Sequence, residues 1–271
     1  MAEPCTITNQ EFALFQRLIY KIAGISLSDA KKVLLVGRLT RRLKAYDFTS
    51  FSQYYRMLSS GEHAEELQTM VDLLTTNETY FFREPQHFDF LRDVILPERR
   101  GPATFRIWSA ASSSGEEAYS MAMVLAEHRN GPWEVFGSDI SLTVLDKARA
   151  GLYPAERVAG IPQNYLRKYC LKGVRSQQGN LLVDSALRQN VRFGQVNLTQ
   201  PISGVGDFDV IFLRNVMIYF DPETKCKVVE NMLPNLKPGG YFIVGHSESL
   251  NGITSRLQAV KPTIYRKLAA R

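Results

Sequence analysis

One stretch limits this chain more than any other: Phe105-Arg106-Ile107-Trp108-Ser109, then Ala110-Ala111-Ser112-Ser113-Ser114-Gly115, then Glu116-Glu117. It reads as an apolar strand running into a loop of small residues. A helix then opens on two acids and carries Tyr119, Met121, Met123, Val124 and Leu125. Val135-Phe136-Gly137-Ser138-Asp139-Ile140 follows as a second strand tipped with an acid, about twenty residues beyond the turn. Strand, small-residue turn, helix and acid-tipped strand together describe a nucleotide-type βαβ site. Small residues let a ligand approach the backbone, and Asp139 stands where a strand-end carboxylate accepts from both ribose hydroxyls.

The acids narrow the choice of nucleotide. A dinucleotide sets its pyrophosphate on the helix N-terminus, where the positive dipole end favours an anion. Glu116 and Glu117 repel that group, and Ser112 and Ser113 stand where a dinucleotide fingerprint needs close-approach glycines. An adenosyl ligand with a cationic amino-acid tail suits an acidic helix start better, which points to S-adenosylmethionine (SAM). First-turn acids also simply complement the helix dipole, so this feature alone leaves the cofactor open.

The four histidines and three cysteines share no metal-ligand spacing, so no metal site is expected. Free thiols at Cys5, Cys170 and Cys226 suit a reducing cytoplasm. No run approaches the length of a membrane span, and no secretory leader is recognisable. Net charge is +6, which suggests a polyanionic partner: nucleic acid, membrane or an acidic protein surface.

Residues 1–76 read as an all-helical domain, with Phe12, Phe15, Leu18, Ile19 and Ile22 at helical spacing. Its second helix sets Lys31, Lys32, Arg38, Arg41, Arg42 and Lys44 around Val33, Leu34, Val36, Leu39 and Leu43, with no acid between Asp29 and Asp47. A face of one sign suits an acidic partner. Residues 77–100 are expected to be a linker that contributes to the cofactor site. From residue 101 to 271 helices and strands alternate. Strands are expected at 104–109, 133–138, 191–194, 207–213 and 240–245, with helices near 116–129, 141–150 and 222–235. A final hairpin is expected around 255–268, and a small β insertion at about 170–190 that is either a surface excursion or an edge for a partner peptide. The fold class is α/β, an open doubly wound sheet with a terminal hairpin.

Several further motifs then fall in one order: Thr76-Asn77-Glu78-Thr79-Tyr80-Phe81-Phe82-Arg83-Glu84, Asn197-Leu198, Arg214-Asn215-Val216-Met217-Ile218-Tyr219-Phe220, Leu236-Lys237-Pro238-Gly239-Gly240 and Gly245-His246-Ser247-Glu248. With Ile107–Ala111, Gly115–Glu117 and Ser138–Ile140 they make the chain resemble the chemotaxis receptor methyltransferases, the CheR family, from residue 10 to 267. The resemblance implies a class I SAM-dependent methyltransferase with a Rossmann-like sheet, a small all-α N-terminal domain and a small antiparallel β insertion. It implies O-methylation of glutamate side chains on cytoplasmic helices of chemoreceptors, with S-adenosylhomocysteine (SAH) as product. Carried over, the SAM contacts are Asn77, Thr79, Arg83, Glu116, Asp139, Asn197, Leu198, Arg214 and Asn215, with Glu117 the alternative to Glu116 for the methionine amine. Tyr219 matches a tyrosine beside the transferred methyl, and the Lys31–Lys44 cations become a receptor-docking face. The β insertion is a candidate seat for a receptor tail peptide. A cytoplasmic monomer is expected, brought to membrane receptor arrays by its receptors. Two departures are Ser114, where threonine is usual, and Ala118, where proline is usual.

Other readings remain at this point. A nucleic-acid methyltransferase suits the charge, but the amino-methylating DNA enzymes need an Asp/Asn-Pro-Pro-aromatic turn where this chain has Arg214-Asn215-Val216-Met217. A SAM-binding adaptor without activity fits the same motifs.

Overall fold

Phe208–Leu213 is buried at every position, as a strand covered on both faces must be. A computed structural model describes residues 6–268 and divides the chain into two units, Met1–Thr76 with Tyr219–Thr224, and Asn77–Ile218 with Lys225–Arg271. Cys5 lies outside the described residues; Cys170 and Cys226 are free thiols.

The first unit is built on α1 (Asn9–Ala23), α2 (Lys32–Ala45), α3 (Phe51–Ser59) and α4 (Ala64–Leu74). Thr8 and Glu11 form a capping box at the start of α1, and the Glu11 carboxylate also accepts from Ser52 N and Oγ, both at 2.8 Å. Phe12, Phe15 and Ile19 line the buried face of α1. In α2 the buried row is Leu35, Leu39 and Leu43, whereas Val33, expected in the apolar set, is 83% exposed. A 3₁₀ turn, Asp29–Lys31, precedes α2, so Val33 falls in its first turn and outside the buried i, i+4 row. Tyr219–Thr224, expected within the methyltransferase domain, belong to the helical unit: the Tyr219 carbonyl accepts from Ser26 N at 2.9 Å, and Tyr20 Oη donates to Asp221 at 2.7 Å.

The second unit opens with α5 (Gln86–Phe90), a π turn (Leu91–Ile95) and α6 (Leu96–Glu98). Then follow β1 (Phe105–Ser109), α7 (Glu116–His128), β2 (Trp133–Asp139), α8 (Leu142–Ala150), β3 (Leu152–Pro154), α9 (Gln163–Tyr169), β4 (Cys170–Lys172), β5 (Asn180–Val183), α10 (Ser185–Arg188), β6 (Val191–Gln195) and β7 (Phe208–Leu213). After α11 (Pro222–Met232) come β8 (Leu236–Val244), β9 (Leu257–Lys261) and β10 (Ile264–Lys267). The seven-stranded sheet has the order β6-β2-β1-β7-β8-β10-β9. β6 to β8 run parallel, and β10 and β9 add an antiparallel edge. Strand order reverses between β1 and β7, which places a topological switch point at the carboxyl ends of β1, β2 and β7.

Two parts of this unit differ from the sequence reading. Residues 77–100 are no tether: Phe81, Phe88, Phe90, Leu91, Ile95 and Leu96 are buried in the same core as β1 and α7. The inserted sheet has the order β3-β5-β4 and so begins at Leu152, well before the expected residue 170. Among the described residues no helix is long and apolar enough to cross a membrane.

Candidate functional site

Ser109, Asp139 and Leu213 end their strands side by side, and the loops beyond them carry most of the predicted site. After β1 the chain turns sharply. Ser112 N donates to Ser138 O at 2.8 Å, Ser113 takes φ +49°, and Gly115 takes φ +96°. A Cβ on Gly115 would stand 2.8 Å from Ala148 Cβ and 3.0 Å from Tyr153 Oη, so this position has neither the backbone freedom nor the room for a side chain. The Asp139 carboxylate is fixed at the tip of β2 by Ser113 N at 2.9 Å and Ser141 N at 3.0 Å. Ser113 Oγ donates to the Asn77 carbonyl at 2.9 Å, which ties the 77–83 segment to the same turn.

The two acids of α7 point to different partners. Glu117 accepts from Ser109 Oγ and from Arg214 Nη1, each at 2.7 Å. Glu116 is fully buried; its Oε2 accepts from Ser114 Oγ at 2.7 Å, while its Oε1 has no hydrogen-bond partner. Arg157 Nη2 lies 2.8 Å from that Oε1, close enough for charge attraction but not aligned to donate. The same Nη2 donates to the Thr79 carbonyl at 2.9 Å. Burial pushes the Glu116 carboxyl above the usual carboxylate range, against the pull of the Ser114 hydroxyl, its own N–H, Arg157 and Lys147.

A second network holds the loop after β7. The Arg214 side chain is 1% exposed and bridges Glu117 and Glu84, the latter at 2.9 Å. Arg214 also donates to the Arg83 carbonyl at 2.5 Å. Asn215 adopts φ +57°, and its Nδ2 donates to Glu84 Oε1 at 3.2 Å. Burial alone would raise the Glu84 carboxyl, but Arg214, Asn215 and the His246 N–H overcome it and hold the group at about 2. Glu248 accepts from Asn215 N and Met217 N at 2.8 Å and from Gly245 N at 2.7 Å, and thereby pins the loops after β7 and β8 together.

The remaining predicted residues are more dispersed in their local bonding. Arg83 Nη1 donates to the Glu78 carbonyl at 2.9 Å, and its guanidinium lies 5.7 Å from the centre of the Tyr80 ring. Asn197 folds back on its own loop, accepting from Thr199 N and Oγ1 at 3.1 and 2.8 Å. Leu198 is buried, and its carbonyl accepts from Asn231 at 3.0 Å. In the helical unit Lys31, Arg41 and Lys44 are exposed, Lys32 donates to Asn9 at 2.8 Å, and Arg38 donates to the Thr75 carbonyl at 2.9 Å. Arg42 corrects the expected docking set. It turns inward onto Glu66, with Nε to Oε1 at 2.8 Å, and Tyr54 donates to the same oxygen at 2.6 Å.

Glu84, His87 and His246 bring ligand-type atoms within 4.8 Å of one another, a group that no spacing in the sequence announced. Glu84 Oε2, however, already accepts from Arg214 Nη2 at 2.9 Å and His246 N at 3.1 Å, so a cation there would face a buried guanidinium. Burial and Arg214 together depress the His87 imidazole to about 3, against the opposing pull of Glu84. Sequence reasoning quoted Glu84 and Glu248 inside motifs but gave them no cofactor-binding or catalytic role, and it passed over Arg157. The only signal for the two acids was their place beside Arg83 and in Gly245–Glu248.

The family model described as "CheR methyltransferase, SAM binding domain" matches residues 77–266, and "CheR methyltransferase, all-alpha domain" matches residues 10–75. A chemotaxis protein methyltransferase of Escherichia coli is 39% identical over 269 residues, covering 98% of this chain and 93% of that protein. Chemotaxis protein methyltransferase 2 of Pseudomonas aeruginosa is 39% identical, covering 95% of this chain and 93% of that protein. A chemotaxis protein methyltransferase of Borreliella burgdorferi is 37% identical, covering 96% and 95%. A TehB-like SAM-dependent methyltransferase structure from Corynebacterium glutamicum aligns with a TM-score of 0.38 at 13% identity, over 69% of this chain and 96% of that one. Glycine at the tight turn, acids at the helix start and an anchored Asp139 at the strand tip suit an adenosyl ligand with a cationic tail. With both of its domains matched in order, this chain belongs to the CheR family of SAM-dependent methyltransferases.

Proposed function

We propose that this protein transfers the methyl group of SAM to glutamate carboxylates on the cytoplasmic helices of chemoreceptors, forming methyl esters that adapt the receptors' signalling. The observation that carries the cofactor half is the buried Glu116, whose Oε1 lacks a hydrogen bond beside the strand-tip loop. A buried carboxylate oxygen without a donor is costly, and the ammonium of a methionine tail supplies one. Asp139 takes the ribose hydroxyls, Asn197 and Leu198 the adenine, and Arg83 with Asn77 and Thr79 the remainder of the tail. Glu117 is already paired with Arg214 and serves to place that arginine and Asn215. The relatives' name, chemotaxis protein methyltransferase, supports the receptor half.

Bound SAM supplies a methyl group on a sulfonium, a strong electrophile. A glutamate side chain with an ordinary pKa near 4.3 is already ionised at neutral pH, so the chain need provide no base. Its residues act by holding and orienting both partners and by excluding water, which together can supply roughly 7–11 kcal/mol of the barrier. Tyr219 positions the incoming carboxylate and takes no proton. Lys31, Arg41 and Lys44 meet the acidic receptor helices, and the edge strand β4 of the inserted sheet, with Leu171 exposed, offers a seat for a receptor tail peptide. The protein then works as a cytoplasmic monomer gathered at receptor arrays, with no nucleic-acid partner and membrane contact only through receptors.

Incubation with methyl-labelled SAM and receptor-rich membranes tests this reading. Base-labile label on receptor glutamates, mapped by mass spectrometry, is the expected result. SAM binding without any transfer would leave the adaptor reading in its place.

A further inference from the structure

Glu116 raises a question that the methyl-transfer reading leaves unanswered: what balances its charge before the cofactor arrives? The carboxylate is fully buried, and one oxygen has no aligned donor. An ionised carboxylate buried without a partner is strongly disfavoured. The cation at hand is Arg157, carried on the turn Ala155–Val158 that leads out of β3. Its Nη2 lies 2.8 Å from Glu116 Oε1, yet its aligned hydrogen bond goes to the Thr79 carbonyl. The Arg157 side chain is 42% exposed, so the guanidinium can leave for water at small cost.

We propose that Arg157 is a resident counter-ion for Glu116 which the ammonium of the cofactor's amino-acid tail replaces, so that Arg157 sets the selectivity among adenosyl ligands. The proposal rests on Glu116 being the ammonium's partner. An ammonium carries three donors on a compact charge and can align one with Oε1, which the planar guanidinium does not do from its tether on Thr79. One cation replaces another, so the buried carboxylate is never left unpaired. A ligand that has the nucleoside and sulfur but no amino-acid tail has no reason to move Arg157. Tailed ligands therefore compete with Arg157, and tailless ones do not.

Calorimetric titration of the full chain at pH 8 tests this, with SAH and with 5′-methylthioadenosine, which lacks the tail. In Arg157→Met, SAH is expected to bind about fivefold more tightly than in wild type, the upper end of what a partly exposed ion pair is worth. 5′-Methylthioadenosine is expected to bind both proteins alike, and Arg157→Lys to behave as wild type. Thermal melting of each variant checks that the fold is kept; ligand-free Arg157→Met is expected to melt slightly below wild type, because Glu116 has lost its counter-ion, and saturating SAH is expected to close that gap. SAH binding that is unchanged or weaker in Arg157→Met, or an equal change for both ligands, overturns the counter-ion role while leaving the cofactor site standing. Failure of wild type to bind SAH overturns the site itself, and this role with it.

Discussion

Arg214 carries more of the site than its place in the sequence suggests. Its guanidinium is 1% exposed and is shared between Glu84 and Glu117, so removing it leaves two largely covered carboxylates, each 12% exposed, without their shared cation. Arg214→Met is expected to destabilise the second unit by about 3–5 kcal/mol, measured by urea unfolding. A loss below about 1 kcal/mol would mean that the carboxylates find other partners. Glu84 gives the network a pH signature. Its carboxyl sits at about 2 in the fold, well below an ordinary glutamate, so it contributes full stability above the ordinary value and loses that contribution as pH falls toward 2. The stability gap between wild type and Glu84→Gln is therefore expected to stay level above about pH 5 and to close on acidification. A gap that widens at low pH contradicts the pairing. At this scale the sequence disclosed Asp139 and the two acids of α7, because each follows from local order along one βαβ unit. It did not disclose which acid is already engaged: Arg214 lies 97 positions from Glu117 and 130 from Glu84, and only the sheet brings them together.

At the scale of elements, the long apolar strands and amphipathic helices were readable because their periods survive in the fold. β7 and β8 read as buried runs, and α7 and α8 lie where the pattern put them. The shorter pieces were not. β3 is three residues with two of them exposed, which leaves no alternation to detect. The 77–100 segment mixes three adjacent aromatics with charges, and its burial depends on a core built by residues far along the chain. α2 shows how a charged face can mislead. Arg42 and Glu66 tie α2 to α4, with Tyr54 of α3 on the same carboxylate, whereas Arg41 one position away is exposed. Arg42→Glu is expected to lower the melting temperature of the helical unit markedly. Arg41→Glu is expected to leave it unchanged and to slow receptor methylation. If Arg41→Glu melts early, or if it methylates receptors at the wild-type rate, the docking role assigned to that face is wrong.

At the scale of the whole molecule, a net charge of +6 favours encounter with an acidic partner, as the proposed docking on receptor helices requires. Receptor methylation is expected to slow with added salt, chiefly by raising the KM for receptor, because exposed charges are screened over about 8–10 Å at physiological ionic strength. SAH affinity should respond much less, since Glu116 and Asp139 are buried. A KM for receptor that is indifferent to salt removes electrostatic docking from the account. The most direct measurement, though, is of the cofactor site, because every later step depends on a ligand held at the tips of β1, β2 and β7. Calorimetric titration with SAH is expected to show one site per chain, and Asp139→Asn to weaken it roughly tenfold to hundredfold, the value of hydrogen bonds to a charged acceptor. Equal affinity in wild type and Asp139→Asn, or no binding of SAH by either, would contradict the strand-tip site.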